Sequence, residues 1–180
     1  MATRKFPDMW VDPEDDPREG GPSLGDERTT LVEYLRTQRL TLQMKCEGLD
    51  ASDMARRSVE PSTMSLLGLV RHLAGVEHSW FRRTLAGQDV PRHFRSEGDR
   101  DADWNGAVPD PEVVAQAWQL WRDEVAFAEQ FVAEASDLGS TDPRGVISLR
   151  EVLVHMIEEY ARHNGHADLL RERIDGRAGQ

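Results

Sequence analysis

The sequence predicts an all-α fold built on four long helices. Three observations carry that expectation. Apolar residues recur at helical spacing through four long stretches, each stretch opens on a residue able to cap a helix, and no segment alternates apolar and polar side chains convincingly enough for a strand. The 180 residues suit one domain. Residues 26–176 are expected to form the bundle, residues 1–25 an irregular arm, and residues 177–180 a tail.

The arm carries Pro7, Pro13, Pro17 and Pro22, three glycines and the acidic run Glu14, Asp15 and Asp16. Phe6, Met9, Trp10 and Val11 are the residues that could pin it to a surface. Asp26 is the expected N-cap of the first helix, whose stripe reads Leu31, Leu35, Leu42, Cys46 and Leu49 with a gap at Gln38. Residues 50–61 read as a short helical turn and a loop closed by Pro61. Ser62 or Thr63 can cap the second helix, with Leu66, Leu69, Leu73, Val76 and Trp80 as its core stripe and Gly87 as its end. The segment 87–110 is long for a structureless loop, which marks it as functional or as a crossover, and Trp104 within it is expected to be packed.

Asp110 as N-cap followed by Pro111 opens the third helix. Val114, Trp118, Trp121, Val125, Ala128, Val132 and Ala135 then alternate spacings of four and three, the pattern of bundle packing. Residues 136–147 form a turn. The fourth helix opens on Ser148-Leu149-Arg150-Glu151, a capping box, and stops at Asp175-Gly176.

Composition narrows function. A net charge of −11 disfavours phosphate backbones and anionic lipid surfaces, so no nucleic-acid or membrane partner is expected. No apolar run approaches the roughly 20 residues that span a bilayer, and Met1–Trp10 lacks a signal-peptide core. Cys46 alone cannot form an internal disulfide, which points to a reducing, cytoplasmic setting. Cys46 lies on the apolar side of helix one and reads as a buried structural thiol. Only Lys5 and Lys45 of the 22 basic residues are lysines, an arginine bias typical of a high-GC genome. No Gly-rich phosphate loop, serine-nucleophile elbow or zinc-ribbon cysteine pattern is present.

The fourth helix breaks its own pattern. Its inward stripe, Leu149, Val152, Met156, Ala167, Leu170 and Ile174, is interrupted at its centre by Glu159 and His163. Residues four apart share a helix face, and a buried carboxylate needs a partner or a metal. His155 and His166 flank the pair on the same face. His72 flanks the stripe of helix two, so two helices together offer three metal ligands with a coordination position left open. The alternative is a hydrogen-bonded structural pair. His155 and His166 read as pocket-lining or outer groups, His155 being the one that competes for a ligand role, while His78 and His93 read as surface residues. Trp80, Trp118 and Trp121 read as core. Gly165, costly inside a helix, suggests space needed by a neighbouring helix or a ligand.

Two segments resemble a known family. Leu66-Leu67-Gly68-Leu69-Val70-Arg71-His72-Leu73-Ala74, followed by Glu77 and Trp80-Phe81, is similar to the second-helix motif of the DinB-like superfamily. Glu158-Glu159-Tyr160-Ala161-Arg162-His163-Asn164-Gly165-His166-Ala167-Asp168 resembles that superfamily's last-helix metal motif, and its actinobacterial mycothiol transferase branch is the nearest match. The resemblance covers about residues 26–176. It implies a four-helix bundle with a long crossover between helices two and three. It also implies a divalent metal, zinc or nickel, on His72, Glu159 and His163. Glu159 departs from the His-x-x-x-His of many members, but the mycothiol-dependent maleylpyruvate isomerase branch is similar in using Glu-x-x-x-His. His166 stands where relatives often carry Gln and is kept, with His155 and Arg162, as a cofactor-binding residue. Arg71 and Arg162 are candidates for anionic groups, although both also read as surface residues.

The resulting expectation is a metal-dependent S-transferase that joins a low-molecular-weight thiol, mycothiol, to an electrophilic small molecule. No catalytic residue is expected beyond the metal site. The alternatives are a thiol-dependent isomerase or metal-assisted hydrolase on the same site, and a non-catalytic metal-binding stress-response protein. The arm could reach a second copy, so a homodimer is compatible with the sequence.

Overall fold

Helix boundaries fall where capping chemistry puts them. In the computed structural model, which describes residue 6, residues 8–95 and residues 97–179, the helices are α1 Glu27–Cys46, α2 Ala51–Ala55, α3 Leu66–Glu77, α4 Ala102–Asn105, α5 Pro111–Glu134 and α6 Leu149–Asp175. The side chains of Asp26, Asp50 and Asp110 accept backbone N–H groups at the starts of α1, α2 and α5. Ser148 and Glu151 form the reciprocal capping box of α6, and Gly176 closes that helix in the left-handed conformation at φ 76°. The cap of α3 corrects the sequence expectation. It is Ser65, accepting from the Gly68 N–H, and not Ser62 or Thr63.

No strand occurs among the described residues; an isolated bridge between Thr141 and Ser148 steadies the turn before α6. The fold is all-helical, as expected. α1 packs chiefly on α6 and α3 chiefly on α5, with α3 also meeting α6. At about 1.5 Å per residue, the 27 residues of α6 run the length of the domain. The loop between α3 and α5 is not structureless, because α4 lies within it and packs back on α3.

α3 continues into a π-helical stretch, His78–Leu85. The buried face runs through Val70, Ala74, Glu77, His78, Phe81 and Leu85 at helical spacing, one position around from the expected stripe, and leaves Val76 and Trp80 half-buried. His78 is thus a core residue at 3% exposure, not the expected surface residue. Arg71, also expected at the surface, is buried too, donating from Nε to Asp103 O at 2.8 Å and from Nη2 to Ala102 O at 2.8 Å.

A polar network crosses the centre of the bundle. Arg39 on α1 fills the gap left by Gln38 in the apolar stripe and donates from Nε to Glu77 Oε1 and from Nη2 to Glu77 Oε2, each at 2.8 Å. Tyr160 on α6 donates its hydroxyl to Glu77 Oε1 at 2.9 Å, and Trp121 on α5 donates Nε1–H to Tyr160 Oη at 2.8 Å. Glu77 is fully buried, so its charge is sustained only by these partners. Although burial disfavours the Arg39 charge, the Glu77 carboxylate more than offsets it and raises the Arg39 pKa.

The arm is pinned by Trp10, as expected, but more firmly than an irregular segment implies. Trp10 is buried, with Arg177 and Lys45 over its ring at 3.8 and 4.0 Å, and Pro13–Asp15 forms a 3-10 turn. Residues 1–5 and 7 of the arm and Gln180 of the tail lie outside the described residues. No described helix is long and apolar enough to cross a membrane. Gly165 is exposed and a Cβ there would meet nothing within 4 Å, so no neighbouring helix claims that space.

Two stability predictions follow from the polar anchors. Glu77→Gln leaves the buried Arg39 guanidinium with only the exposed Glu129 carboxylate, 3.6 Å away, as counter-charge, and should lower unfolding free energy by about 3 kcal/mol in urea titrations. Asp142 holds the turn before α6 by accepting from the Val146 and Ile147 backbone N–H groups at 2.6 and 3.1 Å and from Arg144 Nε at 2.9 Å. The Val146 bond first, then the Arg144 and Ile147 bonds, lower its pKa to about 2. A carboxyl whose folded pKa is depressed stabilises above its unfolded pKa and loses that contribution as pH falls toward the folded value. Wild type should therefore lose an increment of thermal stability between about pH 4 and 2 that Asp142→Asn lacks.

Candidate metal centre

His72, Glu159 and His163 are carried to one point by α3 and α6. Their ligand-type atoms lie within 4.8 Å of one another. His72 Nε2 is 3.1 Å and His163 Nε2 3.3 Å from the same atom, Glu159 Oε1. Ligands about 2.0–2.1 Å from a tetrahedral ion lie about 3.3 Å apart, so the spacing suits a divalent cation.

Each imidazole has an outer partner at its second nitrogen. His72 Nδ1–H donates to Asp103 Oδ2 at 2.9 Å, which turns Nε2 toward Glu159. His163 Nδ1 and His166 Nδ1 are 3.3 Å apart; with the proton on His163, its Nε2 is likewise left for a ligand role. Burial, followed by the neighbouring His163 and Arg162 charges, lowers the His166 pKa, which suits a neutral acceptor. For His72, burial disfavours the charged ring, but the hydrogen bonds to Asp103 and Glu159 outweigh it and push its pKa up to about 9. Hydrogen bonds from His163 and then His72 hold Glu159 well below the usual carboxylate range.

The loop between α3 and α5 completes the centre. Trp104 stacks on His72 at a centroid distance of 5.2 Å. That stacking depends on Gly68, where a Cβ would come within 2.6 Å of Trp104 Cε3. Asp103, next to Trp104, was not legible as a site residue, because no periodicity links a loop to a helix some 30 residues away. The centre opens on a cavity of about 450 Å³ whose lining includes His72, Glu159, His155, Trp80, Ser79 and His93. His155 sits against Trp80 at 4.8 Å between ring centroids and lies outside the three-residue cluster. His166 stands behind His163 and not on the cavity, and Arg162 is exposed and also away from it. Cys46 is buried, and burial pushes its thiol up to about 12, which leaves it inert.

The model of the mycothiol-S-transferase family matches residues 30–176. The chain belongs to that family. The DinB-like resemblance of the two motifs is thereby borne out. No curated protein matches the chain. In fold it is similar to a solved structure described as the conserved protein of locus from Enterococcus faecalis. The two share 13% identity at a TM-score of 0.59, over 85% of this chain and 99% of that one.

Outer partners set the orientation and basicity of metal ligands. Asp103→Asn should therefore weaken zinc binding by about 10–100-fold in a competitive chelator titration while leaving far-UV circular dichroism unchanged.

Proposed function

We propose that the chain is a metal-dependent thiol S-transferase that joins mycothiol to an electrophilic small molecule. His72, Glu159 and His163 would hold a zinc or nickel ion. The convergence of these three donors from two helices beside an open cavity is the observation that carries the proposal. Two imidazoles, neutral once an ion replaces their Nε2 protons, and one carboxylate form a donor set suited to zinc, and three protein ligands leave a position for a substrate.

A divalent cation held by His72, Glu159 and His163 would supply Lewis acidity that favours the ionised form of a thiol substrate. The chain's own groups do the rest. With an ion bound, Asp103 and His166 would hold the Nδ1 protons of His72 and His163, so that both Nε2 atoms can face the ion. Glu159, ionised at neutral pH, contributes one negative charge and so limits the net charge of the loaded centre. Trp104 covers one face of His72 and keeps water from that side. Trp80 and His155 give the cavity an aromatic wall, against which a sugar-bearing thiol or a flat electrophile can pack. Arg92, Arg95 and Arg100 are exposed on the cavity lining of an otherwise acidic chain, and favour an electrophile that carries an anionic group. They take the place expected for Arg162.

The test pairs metal content with turnover. His72→Ala and His163→Ala should each lose one bound equivalent of metal, and thiol conjugation of an electrophile panel, followed by mass spectrometry, should fall at least 100-fold. Product formed without added thiol would indicate a hydrolase instead. A thiol-dependent product of unchanged mass would indicate an isomerase. Unchanged metal content in both variants would overturn the assignment.

A further inference from the structure

A second cluster of metal-ligating side chains lies at the junction of α3 with its π-helical extension. His78 Nδ1 is 3.2 Å and His93 Nε2 3.1 Å from one atom, Glu124 Oε1 on α5. His78 and Glu124 are buried at 3% and 4% exposure, and His93 is half-buried on the loop that borders the cavity. All three ligand-type atoms lie within 4.8 Å of one another.

The protonation pattern is the informative feature. His78 Nε2 is 3.0 Å from the Pro91 carbonyl oxygen, which can only accept, so Nε2 carries the proton. In a neutral ring the Nδ1 lone pair then points at a carboxylate oxygen, two acceptors facing each other at 3.2 Å. Protonating Nδ1 as well would relieve this, but at the expense of a buried cationic ring whose centroid lies 4.2 Å from that of His93. A divalent cation between Nδ1 and Oε1 resolves the conflict without a buried imidazolium. The surroundings agree with such an ion. Pro91 orients His78 through the nitrogen that does not face Glu124, and Arg82 Nε donates to Glu124 Oε2 at 2.6 Å, leaving Oε1 for the ion. The donor spacings of 3.1 and 3.2 Å approach the ~3.3 Å edge of a tetrahedral zinc site.

We propose that His78, His93 and Glu124 form a second divalent-cation site of the zinc class, separate from the His72–Glu159–His163 centre and reached from the same cavity along the edge of His93. Its two imidazole nitrogens and single carboxylate oxygen leave a coordination position for water or a ligand in the cavity.

The full-length chain, stripped with chelator and reloaded with zinc or with cobalt(II), tests this by bound metal per chain and by cobalt ligand-field absorption. Wild type should bind two equivalents. His93→Ala, altered on the loop, should bind one, and so should His163→Ala. The double variant should bind none. Glu124→Gln should match His93→Ala, and circular dichroism identifies any variant that fails to fold; His93→Ala then decides alone. A wild type that binds one equivalent, lost in His163→Ala and kept in His93→Ala, overturns the second site and leaves the first intact. A wild type whose metal is lost in His93→Ala and kept in His163→Ala upholds the second site and removes the first. Identical metal content in wild type and His93→Ala overturns the proposal.

Discussion

A buried carboxylate at the centre of the bundle sets the constraint that the other long helices obey. Glu77 has no access to water, and a lone carboxylate there would cost several kcal/mol. Arg39 from α1 and Tyr160 from α6 satisfy it directly, and Trp121 from α5 completes the chain of hydrogen bonds. Apolar stripes would tolerate small rotations of each helix. Bidentate ion pairing and a directed hydroxyl tolerate far less, so the network fixes rotation as well as contact.

That fixed rotation is what aims the candidate metal centre. Tyr160 points into the network, and its neighbour Glu159 lies about 100° around α6, toward α3 and His72. His163, one turn on from Glu159, then meets the same carboxylate oxygen. At the end of α3, His78 follows Glu77 on the buried face and meets Glu124. Both ligand clusters therefore border the polar network, and both lean on the loop between α3 and α5. Asp103 and Trp104 complete one cluster, Pro91 and His93 the other. A long connection that packs back on α3 supplies groups that neither helix can place alone, which accounts for its length.

Much of this was legible before any coordinates. Caps at Asp26, Asp110 and Ser148 and the stop at Gly176 follow from local hydrogen-bonding rules that act within a few residues. Glu159 and His163 stood out because they interrupt an apolar seam, and His72 because it flanks another. The errors have one source. Ser62 and Thr63 are local candidates for a cap that the fold places at Ser65, and His78 reads as a surface residue because its partners, Glu124 and Pro91, lie on other elements. Arg71 was placed outside because its partners are backbone carbonyls of a distant loop.

The sequence by itself determined the all-helical class, most of the caps and the family, and it singled out His72, Glu159 and His163 as candidate donors, because each depends on near neighbours or on a motif. Only the tertiary structure decided that Asp103 and His166 back two of those donors, that Arg39, Tyr160 and Trp121 meet around Glu77, and that His78, His93 and Glu124 converge. These are relations among side chains on separate elements, 31 residues apart for His72 and Asp103 and 83 for Glu77 and Tyr160. They are fixed by the cost of burying charge without a partner, and helical periodicity carries no record of which partner the fold will bring.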